Sequence, residues 1–295
     1  MTSTFKAFLE PSLDRAAFIS AWLSARSVPN SVVDLSGRRH VVVRFGSSAY
    51  DPRFRMKTVV AHHDRAPDTP GANDNSAACF QLMLFALRLS ESAATHNVRL
   101  VFTDGEEAAG IAGVSGQGSY AIGSALRARS GDLGDVFVLD CSGRGDTLVL
   151  STAGLDSVKN RALSLGMERL HGRAKRLARE AASERWIALP TPYSDNAGFI
   201  AAGVPAQVIT VLPSAEATAL LSALSGPGGA GEALRERIAR NSRDTPGHDG
   251  AESAGMPRTW RLMHTADDAA STLTAPAFRL ARVFLDSLAR SMEAD

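Results

Sequence analysis

Cysteine is nearly absent: Cys79 and Cys141 are the two in 295 residues. Two thiols are too few for a disulfide framework, and both sit in apolar stretches that read as buried. An excess of one charge is lacking too. The 32 lysines and arginines are matched by 31 acids, for a formal net charge of +1. No strong field therefore argues for nucleic acid or an anionic membrane surface as a partner. The basic run from 169 to 179 reads as the solvated face of a helix. No apolar stretch approaches the length that spans a bilayer. The first residues offer no apolar leader segment and soon carry acids, Glu10 and Asp14, so no secretory signal is read and a cytoplasmic protein is expected. Internal repeats are missing. With 44% hydrophobic residues, residues 1–295 have ample material for one large core and read as a single domain.

What is present alternates between strand-like and helix-like segments, the pattern of a sheet covered by helices on both faces. Residues 12–25 carry apolar side chains at helical spacing, with Ser12 as the expected N-cap. Segments 39–45, 57–61, 98–102, 136–139 and 204–212 read as strands, several of them continuous apolar runs of the buried type. Segments 75–89, 119–127, 157–182 and 269–290 read as helices. The stretch 213–257 differs, being rich in glycine and polar residues around one amphipathic piece. It reads as an insertion with the properties of a lid, a partner contact or a mobile loop.

Chemistry-bearing residues cluster at the ends of the strand-like runs. His62 and Asp64 close the run 57–61. Spaced two apart in extended chain, they point to one side, so His62 can ligate a metal while Asp64 orients it from behind. His63 points the other way. Asp74 lies in Gly71-Ala72-Asn73-Asp74-Asn75-Ser76, a small-residue turn entering a helix. There it, or Asn75, reads either as a helix cap or as a carboxylate bridging two metals. Asp104-Gly105-Glu106-Glu107 follows another strand. Adjacent acids can answer a helix dipole, yet sheets of this kind place ligands at strand carboxyl ends. One glutamate can ligate while its neighbour takes a proton from an activated water. Asp140 ends a further strand with no capping role, and His264 completes the set. Three ligating carboxylates and one hydroxide would balance two dications. Imidazole and carboxylate ligands without thiolate suit catalytic zinc, with manganese or cobalt as substitutes.

These motifs, together with Tyr193-Ser194-Asp195 and Met263-His264-Thr265, resemble in order and combination the co-catalytic zinc exopeptidases of metallopeptidase family twenty-eight, which includes bacterial leucyl aminopeptidases. The resemblance spans 57 to 273. It implies a three-layer α/β/α sandwich with a mixed, mostly parallel central sheet. It implies one metal on His62, Asp74 and Asp140 and a second on Asp74, Glu107 and His264, hence two Zn2+ ions. Glu106 would be the general base and Asp64 the partner of His62. In an aminopeptidase the substrate's free amine would bind one metal or a nearby carboxylate, for which Asp195 is the candidate. The implied substrate is a peptide or amino-acid derivative with a free N-terminus.

Three departures from the family pattern bear on substrate choice. The connection from Glu107 to Gly118-Ser119 is lengthened by the segment 108–117. Asn196 stands where many members have histidine after Ser-Asp. The insertion after Pro213 is long. The lengthened connection is also reminiscent of glutaminyl cyclases, relatives that typically use one zinc, although no convincing aromatic set accompanies it. A non-catalytic relative would lack a ligand or the base, and none is missing. Trp260 is expected in the core, and Cys141 as a small buried residue rather than a thiolate nucleophile.

Overall fold

The computed structural model describes residues 3–107, 113–129, 134–226, 229–240 and 255–294. Among them eight strands join one mixed sheet in the order β1-β2-β4-β3-β5-β8-β6-β7. These strands are β1 (Asn30–Leu35), β2 (Arg38–Val43), β3 (Lys57–His62), β4 (Val98–Thr103), β5 (Asp135–Leu139), β6 (Thr147–Ser151), β7 (Trp186–Leu189) and β8 (Ala206–Leu212). The pairs β3–β4, β3–β5, β5–β8 and β6–β7 are parallel; β1–β2, β2–β4 and β6–β8 are antiparallel. The expected three-layer sandwich is what forms.

Strand alternation builds the two cores. Val59, Ala61, Leu100, Phe102, Phe137 and Leu139 turn to one face of the sheet. There they meet α2 (Arg15–Ser24), α3 (Ala77–Ser90), α5 (Arg161–Ala182) and α10 (Ala275–Arg290), which follow the short α1 (Ser3–Phe8) and carry apolar residues at helical spacing. Val60, Val101, Val136, Val138 and Val208 turn to the other face. There they meet Ile122 of α4 (Gly118–Arg129) and Phe199 of α6 (Asn196–Ala201). β3, β5 and β8 are buried along their whole length, which is why they read as continuous apolar runs.

Helix boundaries moved for identifiable reasons. The cap of α2 is Asp14, which accepts from Ala17 N at 2.9 Å, rather than Ser12. Helix α3 begins at Ala77 because residues 72–76 form a separate wide turn, and neither Asp74 nor Asn75 caps it. The basic run 169–179 is only partly a solvated face, since Arg173 pairs with buried Asp135. Both cysteines are buried and free. Among the described residues no helix is long and apolar enough to cross a membrane.

The described part of 213–257 is helical rather than loop. α7 (Ser214–Leu224) and α8 (Ala230–Arg240) pack against the following short α9 (Arg258–Arg261). Leu220, Leu224, Leu234, Ile238, Met256 and Trp260 share a core with Val149 and Leu212 of the sheet. Trp260, as expected, is fully buried. Residues 227, 228 and 241–254 of the expected insertion lie outside the described residues.

Candidate metal centre

Because β4 and β5 flank β3 in parallel, their carboxyl ends open at one edge of the sheet. His62 is the last residue of β3, Asp140 follows β5, and Glu106 and Glu107 follow β4 after Gly105, whose φ of 83° turns the chain. Asp74 enters from the turn before α3. His264 enters from the loop after α9, with its backbone in the left-handed region at φ 58°.

The structure brings all five expected ligands together. Asp74 Oδ1 lies 3.2 Å from His62 Nε2, and its other oxygen, Oδ2, lies 3.3 Å from His264 Nε2. His62 Nε2 is also 3.7 Å from Asp140 Oδ1, and His264 Nε2 is 3.0 Å from Glu107 Oε2. Two trios result, His62–Asp74–Asp140 and Asp74–Glu107–His264, each with ligand atoms within 4.8 Å of one another. Asp64 Oδ1 stands 3.5 Å behind His62 Nδ1, while its Oδ2 accepts from Glu107 N at 3.0 Å. His63 is turned away, its Nε2 bonded to Arg39 O at 2.8 Å.

Several side chains that sequence reasoning left without a role fix these ligands. Asp268 is buried and takes the backbone of the bridging turn in both oxygens, from Asn73 N at 2.9 Å and Asp74 N at 3.0 Å. Asn75 Nδ2 donates to Leu139 O at 2.8 Å, tying the same turn to the end of β5 beside Asp140. Buried Arg15 donates to His63 O and to Ser76 Oγ, both at 3.0 Å. Glu216 of α7 accepts from Thr259 N at 2.8 Å and so anchors the segment leading to His264. Asp268 was signalled by its place four residues after His264; Arg15 lies 61 positions from Ser76 and carries no motif.

Asp195 lies deep, under the end of β4. It has 0% exposure and accepts a hydrogen bond from Thr103 Oγ1 at 2.5 Å. Its other oxygen, Oδ1, is buried without a hydrogen-bond partner. Asn196, at the family's usual histidine position, accepts from Ser194 N at 2.9 Å and closes a turn.

Electrostatics show a cluster built for cations. Burial works against charging His62, yet Asp140, Asp64 and Asp74 outweigh it and hold its pKa well above the ordinary imidazole value. For His264 the same contest, won by Asp74 and Glu107, lifts the pKa to about 11. Burial, then the charge of Asp74, pushes Glu107 up to about 7. Burial drives Glu106 well above the usual carboxylate range, and the charges of Glu107, Asp140 and Asp195 add to it. Protons thus occupy places that dications would take. His62 Nδ1 and Nε2, Asp64 Oδ1, Glu107 Oε1 and Asp140 Oδ1 are buried without a hydrogen-bond partner, a state that costs free energy unless something else engages them. The donor set and the orphaned atoms fit two metal ions. Cys141 is no rival nucleophile, since burial raises its thiol pKa well above normal.

A cleft of about 10 Å3, room for about one water, lies beside Asp140 between Pro192, Val208, Trp260 and Met263.

Comparison with known proteins places this geometry. The family model described as Peptidase family M28 matches residues 41–284. The fold is similar to the LapA aminopeptidase of Legionella pneumophila, at 16% identity and TM-score 0.62, covering 98% of this chain and 71% of that one. It is similar to a glutaminyl cyclase of an Acidobacteriales bacterium, at 15% identity and TM-score 0.61, covering 97% and 91%. It is also similar to a zinc aminopeptidase of Bacillus subtilis, at 16% identity and TM-score 0.50, covering 85% and 49%. No curated protein sequence matches.

Proposed function

The chain belongs to peptidase family M28, and from that premise we propose that it is a zinc-dependent aminopeptidase releasing N-terminal residues from peptides. The observation that carries this reading is Asp74, whose two carboxylate oxygens each face a different histidine at 3.2 and 3.3 Å.

His62, Asp74 and Asp140 would hold one zinc and Asp74, Glu107 and His264 the other. Bound there, the pair supplies Lewis acidity, polarising the scissile carbonyl and acidifying water toward neutral pH. The chain's own groups do the rest. Asp64 keeps the His62 ring oriented from the far nitrogen. Glu106, raised in proton affinity by burial and by its acidic neighbours, takes the proton of the attacking water and returns it to the leaving amine. Asp195 and Thr103 lie beneath and stiffen the floor of the site. The test is a panel of peptides with free and blocked N-termini: N-terminal amino acids should be released from the free series alone. Equal cleavage of blocked peptides contradicts an aminopeptidase.

A second reading is cyclisation of N-terminal glutamine. The fold likeness to the Acidobacteriales glutaminyl cyclase favours it, because that chain is covered almost to its full length. Glutamine-initiated peptides decide between them. Loss of ammonia without loss of the first residue supports the cyclase, and release of free glutamine supports the peptidase.

A further inference from the structure

The exit of β4 and the start of α4 are pressed together more closely than any side chain would allow. Gly118 opens α4, and a Cβ there would stand 2.1 Å from the Asp104 carbonyl oxygen and 2.4 Å from His40 Cε1. Such approaches require glycine. His40 holds the same segment from β2, its Nδ1 accepting from Asp104 N at 3.1 Å. On the far side Gly198 of α6 leaves room for buried Ser119, where a Cβ would come within 2.2 Å of the serine oxygen. The residue before Gly118 is therefore set in place on both flanks. Gln117 N donates to Val114 O at 3.2 Å, and Gln117 O accepts from Tyr120 N at 3.1 Å.

The side chain of Gln117 is buried at 4% exposure and aimed at Glu106. Its Nε2 lies 3.2 Å from Glu106 Oε1 and 3.5 Å from Glu106 O. Its own Oε1 has no partner. An apolar side chain of the same size would fill this space without leaving a buried acceptor idle. The amide is thus explained by its donor. Among the described residues no other side chain donates to the Glu106 carboxylate. With Gln117 in contact, the Glu106 carboxylate stands at the rim of the centre, in a trio with His62 and Glu107 whose ligand atoms lie inside 4.8 Å.

We propose that Gln117 is a positioning residue for Glu106: its amide takes one carboxylate oxygen and leaves the other to face the attacking water. This rests on the reading of Glu106 as base. Gln117 is the last residue of the lengthened connection 108–117, of which residues 108–112 lie outside the described residues.

The test is a four-enzyme cycle on the zinc-loaded full chain: wild type, Gln117→Met, Glu106→Gln and the double variant. Turnover on a free N-terminal peptide, KM, bound zinc and thermal unfolding are measured for each. Gln117→Met should lower kcat roughly 10- to 100-fold, the scale of losing a partner that orients a site residue, with KM and zinc content held within about two-fold. In the Glu106→Gln background the same substitution should change the residual rate by less than about two-fold, because its target has gone. Gln117→Leu, which has no donor at all, should be at least as damaging as Gln117→Met, and it serves if the methionine variant does not fold. An unchanged kcat in Gln117→Met, an equal loss in the Glu106→Gln background, or failure of both Gln117 variants to fold assigns a structural role and overturns the proposal. Undiminished turnover in Glu106→Gln alone instead removes the base itself, which separates the two failures.

Discussion

Asp268 stands outside the expected ligand set, yet it decides where Asp74 stands, because it holds the two backbone amides that present the bridging carboxylate. Asp268→Ala should therefore weaken zinc binding about 10- to 100-fold, and Asp268→Asn, which keeps one acceptor oxygen, should weaken it less. Competition with a metal-sensitive dye checks both. His62, Glu107 and Asp140 were legible in the sequence because each follows an apolar strand, Asp74 because it lies in a small-residue turn entering a helix, and His264 because it completes the motif set of the family resemblance. Asp195 was legible as a site residue but its depth was not, since burial under β4 depends on how α6 packs. Gln117 was not legible at all: its target lies eleven residues back across a connection of no regular period. Away from the centre, burial holds His96 at a pKa of about 4, with Lys57 adding to the effect. Its folded value lies below the ordinary 6.5, so between pH 6.5 and 4 the unfolded chain binds the extra proton and stability falls as pH falls. The contribution is at most roughly 3 kcal/mol. His96→Asn, which retains an acceptor for Val98 N–H, should flatten the fall of melting temperature across that window relative to wild type. Parallel curves would contradict it.

The helical pair α7–α8 supports the loop that carries His264. Ile238 has 0% exposure and Leu234 4%, in the same cluster as Trp260. Ile238→Ala should cost about 2–5 kcal/mol by leaving a cavity, measured by denaturant unfolding; a change under about 0.5 kcal/mol would mean that α8 is not part of the folded core. Sequence pattern alone gave this region as an insertion (a lid, a partner contact or a mobile loop) around one amphipathic piece, because Gly and polar residues dominate its average. Central strands were legible as apolar runs. β1 was missed because it is an edge strand with an intermittently exposed pattern, and β6 and β7 because four- or five-residue strands carry too few side chains to show a period.

Across the whole molecule, the end of the chain is fastened to the start of the central strand. Lys57 Nζ donates to the carbonyls of Leu288, at 2.9 Å, and of Ser291. Asp135 beside it accepts from Arg173 and Arg55. This latch closes α10 over the sheet at the edge opposite the metal ligands. Lys57→Met should therefore lower the melting temperature while leaving KM and zinc affinity unchanged, whereas a selective loss of affinity would show that the two edges are coupled. The fold class followed from the alternation of buried runs and helices. The order of the strands did not, because it depends on crossovers that leave no trace in local periodicity. The most direct measurement is to strip the chain with a chelator, then titrate zinc while recording bound metal and turnover together. Full activity should return only as the second equivalent binds, with protons released into the medium as His62, His264 and Glu107 exchange them for metal. Undiminished peptide hydrolysis by the fully stripped chain would contradict the account.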